Sequence, residues 1–305
     1  MMNSFDAIFA GSKASDNTVS ILPAPPDTEL EYICDNDGFS EIAISGTIAA
    51  RQNPNRIMFA QRDISGRQFV VFTRSIDLPF KVDNALFVTD LHTKYYVLNN
   101  PDQPNLAPAI MQYLPANITK ELVTDPQAIL SQGHPEVVII SFGNMPDALP
   151  RLAEARVRNI DIRPTQQGAG SVQFREKKGG KERFDPAQGE SKYYGVTLLL
   201  GAIFSENKDY YECAIKKLHT KVQVVSQIYA RRSALLETEI HSGICQASYG
   251  DAIAELEELR KISAGEYSMT PDDVNSQEVL RFADVKTNLQ QLNEKVELHS
   301  CPLLY

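Results

Sequence analysis

Residues 166–194, QQGAGSVQFREKKGGKERFDPAQGESKYY, separate two halves of the chain that differ in hydrophobic pattern. Before this Gly- and charge-rich stretch, short apolar runs are interrupted by Pro and Asn, which is typical of strands joined by turns. After it, apolar residues recur at helical spacing over long segments. The sequence therefore predicts an α+β fold with four parts: an extended N-terminal arm at 1–28, a β-rich domain at 29–165, a Gly/Lys-rich connector or hairpin at 166–194, and a helical domain with an apolar C-terminal tail at 195–305.

The composition is that of an ordinary globular protein of 305 residues, with 43% hydrophobic and 23% charged side chains and a net charge of −9. An acidic chain does not recruit nucleic acid or anionic lipid through its bulk charge. No window approaches ~18 uninterrupted apolar residues, and no basic segment followed by an apolar run begins the chain, so neither a membrane span nor a secretory signal is predicted. We therefore expect a cytoplasmic protein, or one of the host cytoplasm or the particle if it is viral.

The four cysteines are far apart in the sequence, and none belongs to a C-x-x-C pair. They are Cys34, Cys213, Cys245 and Cys301. Because a chain of this length folds without disulfide support, the sequence predicts reduced thiols in a cytosolic compartment.

The β-rich part is predicted to contain an antiparallel meander over residues 30–75 and a small strand–helix–strand unit. Residues 136–142, EVVIISF, form a nearly continuous apolar run, which is typical of a strand covered on both faces. A helix near 147–158 and a short strand follow it. Since strands of this kind end at ligand crevices in open α/β sheets, Asn144 and Asp147 are candidates to line such a crevice.

The helical part carries three narrow apolar stripes, which a single helix cannot bury alone. The first stripe begins at Tyr211 and the second at Tyr249, and the third follows a helix start at Thr270. Such stripes either pack together as a small bundle or leave a seam for a partner. The stripe residues that we expect at a protein–protein contact are Val225, Tyr229, Leu289 and Leu292.

The apolar tail after Pro302 is the last candidate contact, and it consists of Leu303, Leu304 and Tyr305. Two alternatives remain open from the sequence. The tail packs on the protein's own helices, or it docks into a groove of another subunit.

Five arginines lie within 24 residues that contain a single acid, Asp63, and aromatic residues are interleaved among them. Arginine with aromatics on a sheet is typical of surfaces that bind single-stranded nucleic acid. The alternation of side chains along the strands puts arginines and aromatics on opposite faces, which favours a solvated face or an inter-subunit salt-bridge surface instead. The residues concerned are Arg51, Arg56, Arg62, Arg67, Arg74, Phe59 and Phe69.

Motifs with a specific chemistry are not found. Gly180-Lys181 is followed by Glu182 rather than by Ser or Thr, so a phosphate loop is not predicted. His241 and Cys245 lack the further ligands of a zinc site. Ser141 does not lie in a G-x-S-x-G elbow. We therefore assign no catalytic residue, no cofactor and no metal ligand from the sequence.

These patterns favour a non-enzymatic structural protein that acts through protein–protein contacts. It is expected to form a homo-oligomer or part of a larger assembly, such as a virion, without membrane contact. Two alternatives are an accessory protein that binds nucleic acid through the Arg51–Arg74 meander and the basic connector, and an enzyme with its site near the end of the strand at 136–142.

Overall fold

The computed structural model describes residues 17–26, 28–34, 40–44, 56–131, 133–165, 168–240, 242–265 and 271–305. It confirms an α+β fold with a strand-rich N-terminal part and long C-terminal helices. The chain divides into two compact units. Unit 1 comprises Met1–Arg74 and Asn84–Ala214, and unit 2 comprises Ser75–Asp83 and Ile215–Tyr305.

The strands within the described ranges are numbered in chain order. They are β1 (Val19–Pro23), β2 (Glu29–Cys34), β3 (Ser40–Ile44), β4 (Met58–Ala60), β5 (Asp63–Ser65), β6 (Gln68–Asp77), β7 (Lys81–Asp90), β8 (Thr93–Leu98), β9 (Thr119–Val123), β10 (Glu136–Ser141), β11 (Arg156–Pro164), β12 (Ala169–Lys177) and β13 (Glu190–Tyr194).

The helices are numbered in the same way. They are α1 (Leu106–Tyr113), α2 (Gly195–Phe204), α3 (Lys208–Glu239), α4 (Gly243–Ala264) and α5 (Pro271–Leu298), together with the short 3₁₀ helices η1 (Pro126–Ala128) and η2 (Pro150–Leu152). Within the described residues, no helix is long and apolar enough to cross a bilayer.

Two of the sheets in unit 1 enclose a common core. A four-stranded sheet has the order β1-β6-β7-β4, and a three-stranded sheet has the order β3-β2-β5. Alternate side chains of both sheets, among them Leu30, Phe69 and Val71, form one buried cluster between them. The predicted meander over 30–75 is therefore divided between two sheets.

The third sheet has six strands in the order β13-β12-β11-β10-β8-β9. Strands β9, β8, β10 and β11 are parallel to one another, whereas β12 and β13 add in antiparallel register. The connector predicted at 166–194 thus contains the β12 and β13 pair, which corresponds to its hairpin alternative. Val138 and Ile139, which point to opposite faces of β10, are both fully buried, as expected from a strand covered on both faces.

Helix α2 packs against the aromatic side of β4 through a close approach at Gly201. A Cβ atom at this position would lie 2.6 Å from the ring of Phe59, so only glycine allows this contact. Phe204 of the same helix contacts Phe72 and Phe87 at ring-centroid distances of 5.0 and 5.9 Å. This aromatic cluster fills the core beside the four-stranded sheet.

The C-terminal tail belongs to the core of unit 2. Cys245 and Cys301 form a disulfide, Leu304 is fully buried, and the hydroxyl of Tyr305 donates to the Leu289 carbonyl at 3.0 Å. Phe80 packs on Tyr305 with ring centroids 5.6 Å apart. Of the two alternatives for the tail, the structure therefore has the one in which it packs on the protein's own helices.

The prediction of reduced thiols is wrong, because all four cysteines are paired. Cys34 bonds to Cys213 and Cys245 bonds to Cys301, with Cα atoms 6.1 and 6.0 Å apart. The partners are 179 and 56 residues apart in sequence, so linear spacing carries no sign of the pairing. Since structural disulfides persist in oxidising compartments, the cysteines no longer support the cytoplasmic prediction.

The helix predicted near 147–158 is also wrong. Only the 3₁₀ turn η2 forms there, and β11 already begins at Arg156. Pro150 cannot lie inside a helix that begins at 147, and from Arg156 onward the backbone pairs with β10, so only one turn fits between them.

Candidate functional site

The order of the parallel strands creates a switch point in the six-stranded sheet. From β8 the chain passes through α1 to β9 on one side, and then returns through η1 to β10 on the other side of β8. In open sheets of this kind, the crevice beyond the carboxyl ends of the two strands that flank the switch point binds ligands. Here those ends carry Asn99 and Asn100 after β8, and Phe142 to Asn144 after β10.

Side-chain amides fasten these two loops to each other. Asn100 Nδ2 donates to the Phe142 carbonyl at 2.9 Å, and Asn144 Nδ2 donates to the Asn99 carbonyl at 3.2 Å. The Phe142 amide donates to Asn144 Oδ1 at 3.1 Å. The backbone at the crevice is therefore held in one conformation by short polar side chains.

A buried carboxylate supports the same loop from the neighbouring strand. Asp161 of β11 is 6% exposed, and its Oδ1 accepts from Ser141 Oγ at 2.8 Å and from the Gly143 amide at 2.6 Å. Asn159 Nδ2 donates to Ser141 Oγ at 2.9 Å. Because a buried carboxylate is costly unless it accepts hydrogen bonds, these contacts fix both Asp161 and the loop.

Gly143 is the point at which this loop opens to solvent. Its φ is +79°, a left-handed conformation that glycine adopts without strain. The residue is exposed, and no heavy atom lies within 4 Å of the position a Cβ would occupy. A fixed backbone thus faces open space at the switch point.

The chemistry of the crevice is rich in hydrogen-bond acceptors. The loop from Asn99 to Asn105 contains no glycine and includes Pro101 and Pro104, which have no amide hydrogen. Asp102 is exposed in this loop. Such a loop does not offer the row of backbone amides that cradles a phosphate.

Two further carboxylates follow strands β9 and β10 of the sheet. Asp125 follows β9 and accepts from the Gln127 amide at 2.9 Å, while Asp147 pairs with Arg175 at 2.6 Å. Within the described ranges, no group of three or more His, Cys, Asp and Glu side chains is placed to hold a metal ion.

The opposite, amino ends of the parallel strands carry a cluster of charges. Arg158 is 1% exposed; its Nε donates to Glu136 Oε1 at 2.9 Å and its Nη1 to the Ser205 carbonyl at 2.6 Å. Arg156 donates to Glu176 at 2.8 Å and also pairs with Glu206. These charges are satisfied by one another and by the backbone.

Burial and pairing shift the pKa values of two acids in this cluster in opposite directions. Burial raises the pKa of Glu136, and the guanidinium groups of Arg158 and Arg156 offset only part of that effect. Burial acts in the same direction on Glu206, but the same two arginines outweigh it and lower the pKa of Glu206 below its ordinary value of 4.5.

The arginines predicted as an interaction surface have different environments. Arg51 lies outside the described residues, Arg56 is half-buried and Arg67 is exposed. Arg62 is exposed and lies near two acids, Glu31 at 3.7 Å and Asp63 at 3.8 Å. Arg74 is half-buried, with its guanidinium 5.3 Å from the ring centroid of Tyr113.

The aromatic residues of the same surface are in the core. Phe59 and Phe69 are fully buried, Phe69 in the cluster between two sheets and Phe59 beside Gly201. Neither ring is available to stack on a base, which removes the aromatic part of the predicted nucleic-acid surface. The sequence signal was the alternation itself, since it already separated these rings from the arginines.

The stripe residues expected at a partner contact are largely covered within unit 2. Leu289 and Leu304 are fully buried, Val225 and Leu292 are half-buried, and Leu303 is exposed. Tyr229 is half-buried and lies 4.7 Å from Phe80 between ring centroids. The apolar side chains that do remain exposed on α3 are a different set, namely Val224, Ile228 and Leu235.

Asn144 and Asp147 were predicted from the sequence to line a crevice, and Asn144 does take part in the loop network. Asn100 and Asp161 were missed, because only the strand order brings them to Phe142 and Gly143. Comparisons of the chain with protein-family models, with curated proteins and with solved structures find no match.

Proposed function

We propose that the chain binds a small polar molecule beyond the carboxyl ends of β8 and β10, as the substrate or cofactor of an enzyme. The observation that carries the proposal is the loop at Gly143, which is exposed at a switch point and fixed by hydrogen bonds to Asn144 and Asp161. Preorganised backbone of this kind binds a ligand without the entropic cost of ordering a mobile loop.

The surroundings favour a ligand that donates hydrogen bonds and carries no phosphate. Carboxylate and amide oxygens of Asp102, Asn99 and Asn144 are the natural partners of hydroxyl and amino groups. A phosphate would meet carboxylates and proline residues there instead of a row of backbone amides. A hydroxylated heterocycle such as a nucleoside matches this chemistry.

The test is a titration of the isotope-labelled protein with adenosine, followed through backbone amide resonances. We expect saturable shifts at Gly143 and Asn144, and weaker ones with adenosine 5′-monophosphate because of its charge. Asn144→Ala should weaken adenosine binding about tenfold, which corresponds to the loss of about one hydrogen bond between uncharged groups. Asn288→Ala, at an exposed position of α5, is the matched control and should leave it unchanged.

Amide resonance shifts confined to residues away from this loop would contradict the proposal. So would an Asn144→Ala protein that binds adenosine as tightly as the unchanged chain. A preference for the monophosphate would overturn the ligand chemistry while leaving the location intact.

A second candidate function, self-assembly, is favoured by the exposed apolar row on α3. Val224, Ile228 and Leu235 are 52, 57 and 63% exposed and recur at spacings of four and seven, which places them on one helix face. Lys217 and Glu239 lie on the same face, equally far from Ile228 on either side. An antiparallel contact with a second copy would therefore set opposite charges against each other.

One helix face buries little area, so this contact is expected to be a weak dimer of less than about 1,200 Å². Sedimentation across a concentration series should detect it. Ile228→Glu should shift the protein to monomer, whereas Ile244→Glu, at an exposed position of α4, should not. A monomer at every concentration, or dimers that Ile228→Glu leaves intact, would remove this candidate.

A further inference from the structure

A cavity in unit 1 lies at the carboxyl end of α1, away from the Asn99 to Asn105 loop at its amino end. It has a volume of 260 Å³ and opens beside the edge strand β1. Its walls come from β1, β6 and the segment that follows α1. Phe72, Arg74, Tyr113 and Leu114 are among the residues that line it.

Arg74 is the only side chain with a full charge among the described residues that line this cavity. Its guanidinium lies over the Tyr113 ring, 5.3 Å from the centroid. In the part of the chain that the structure describes, this guanidinium forms no ion pair or hydrogen bond. A half-buried arginine usually has an acidic or carbonyl partner. Because Arg74 has no such partner among the described residues, its five N–H donors are available to a ligand.

Partial burial gives the guanidinium a stronger interaction with an anion than a fully solvated side chain would have. The pKa of Arg74 is lowered by that burial, with a smaller opposing effect from Tyr113. The group stays charged at neutral pH, because an arginine side chain is not deprotonated in proteins. Fewer water molecules therefore compete for it.

Part of the remaining wall is apolar, and two of its hydroxyls are paired with each other. Phe72 and Leu114 are buried and supply apolar surface. The hydroxyls of Thr18 and Thr73 are 2.8 Å apart and hydrogen-bond to each other. One cation beside an apolar surface favours a ligand that has one anionic end and an apolar remainder.

We infer that this cavity binds a small carboxylic acid with a flat apolar group, whose carboxylate pairs with the Arg74 fork. The planar guanidinium donates two parallel hydrogen bonds to a carboxylate. A lysine ammonium group does not offer this geometry. The volume of 260 Å³ is just below the range of drug-sized sites, so the acid is small, of the size of benzoate.

The experiment is calorimetric titration of the full chain with benzoate, and in parallel with neutral benzamide and inorganic phosphate. Benzoate should bind saturably, and benzamide at least about tenfold more weakly, since it lacks the charge. Arg74→Met keeps the packing on Tyr113 and should weaken benzoate about tenfold or more. Arg67→Met removes an exposed arginine outside the cavity and should change nothing.

Equal benzoate affinity in Arg74→Met, or no saturable binding to the unchanged chain, would overturn the inference. Tighter binding of phosphate than of benzoate would overturn the carboxylate class. If Arg74→Met does not fold, as judged by circular dichroism, Arg74→Lys takes its place. It keeps the charge but not the fork, and undiminished benzoate affinity there would equally overturn the inference.

Discussion

At their amino ends the parallel strands β10 and β11 carry buried charges, whereas at their carboxyl ends they carry mostly amide and hydroxyl groups. Glu136 and Arg158 are paired inside the protein, and their donors and acceptors are used by one another and by the backbone. At the other end, the network of Asn100, Asn144 and Asp161 ends in an exposed glycine.

The strongest interactions in this sheet are therefore not the ones that indicate a ligand-binding site. A buried ion pair is costly to break and offers nothing to a ligand when it is fully satisfied. A network of short polar side chains adds less stability, but it fixes a loop whose outer face is free to bind. We therefore expect changes at the amino ends to affect stability most, and changes at the carboxyl ends to affect binding.

The largest effect is expected from Arg158→Met. This change leaves the Glu136 carboxylate in the interior without its partner, which costs about 3–5 kcal/mol of unfolding free energy. Urea denaturation followed by circular dichroism measures the loss. Arg151→Met, at an exposed position of η2, is the matched control and should stay within about 0.5 kcal/mol of the unchanged chain. An equally small loss in Arg158→Met would mean that the charge cluster is dispensable.

A smaller effect on the unfolding free energy is expected when the Glu206 carboxylate is protonated at low pH. Because its folded pKa is below 4.5, the unfolded state binds the proton first, so its stabilising contribution is present above pH 4.5 and is lost as the pH falls through the folded pKa. Glu206→Gln lacks this contribution at every pH. The unfolding free energies of the two proteins should therefore converge as the pH falls below 4.5, and a constant difference would contradict the account.

The smallest effect on stability is expected at the crevice, from Gly143→Ala. The φ of +79° costs an alanine about 1 kcal/mol, while the open space around the position allows the methyl group without a clash. Thermal unfolding should show this modest loss of stability. The loss in the free energy of adenosine binding should be larger than the loss in the free energy of unfolding. A loss of several kcal/mol would mean that the loop is part of the core.

The sequence predicts the elements well where their hydrophobic period is long or continuous. The apolar run at 136–142 corresponds to β10, and the stripes that begin at Tyr211 and Tyr249 lie on α3 and α4. The helix predicted near 147–158 does not form, because Pro150 cannot lie inside a helix that begins at 147 and the backbone from Arg156 onward pairs with β10. Local pattern is sufficient for the first two, whereas the third is decided by strand pairing that the local pattern does not show.

Contacts that depend on the chain's path could not be predicted in this way. Asn100 and Phe142 are 42 residues apart, and Cys34 and Cys213 are 179 apart. Nothing in the local spacing indicates which of the scattered amides and cysteines meet. The strand order decides both, so the candidate site becomes visible only after the sheet is known.

A crystal of the protein soaked with adenosine would decide whether a ligand binds where the amide network ends. We expect electron density for the nucleoside beside Gly143, with its hydroxyl or amino groups within hydrogen-bond distance of Asn99, Asp102 or Asn144. Density for adenosine only at other places, with the space beside Gly143 filled by ordered water alone, would contradict it.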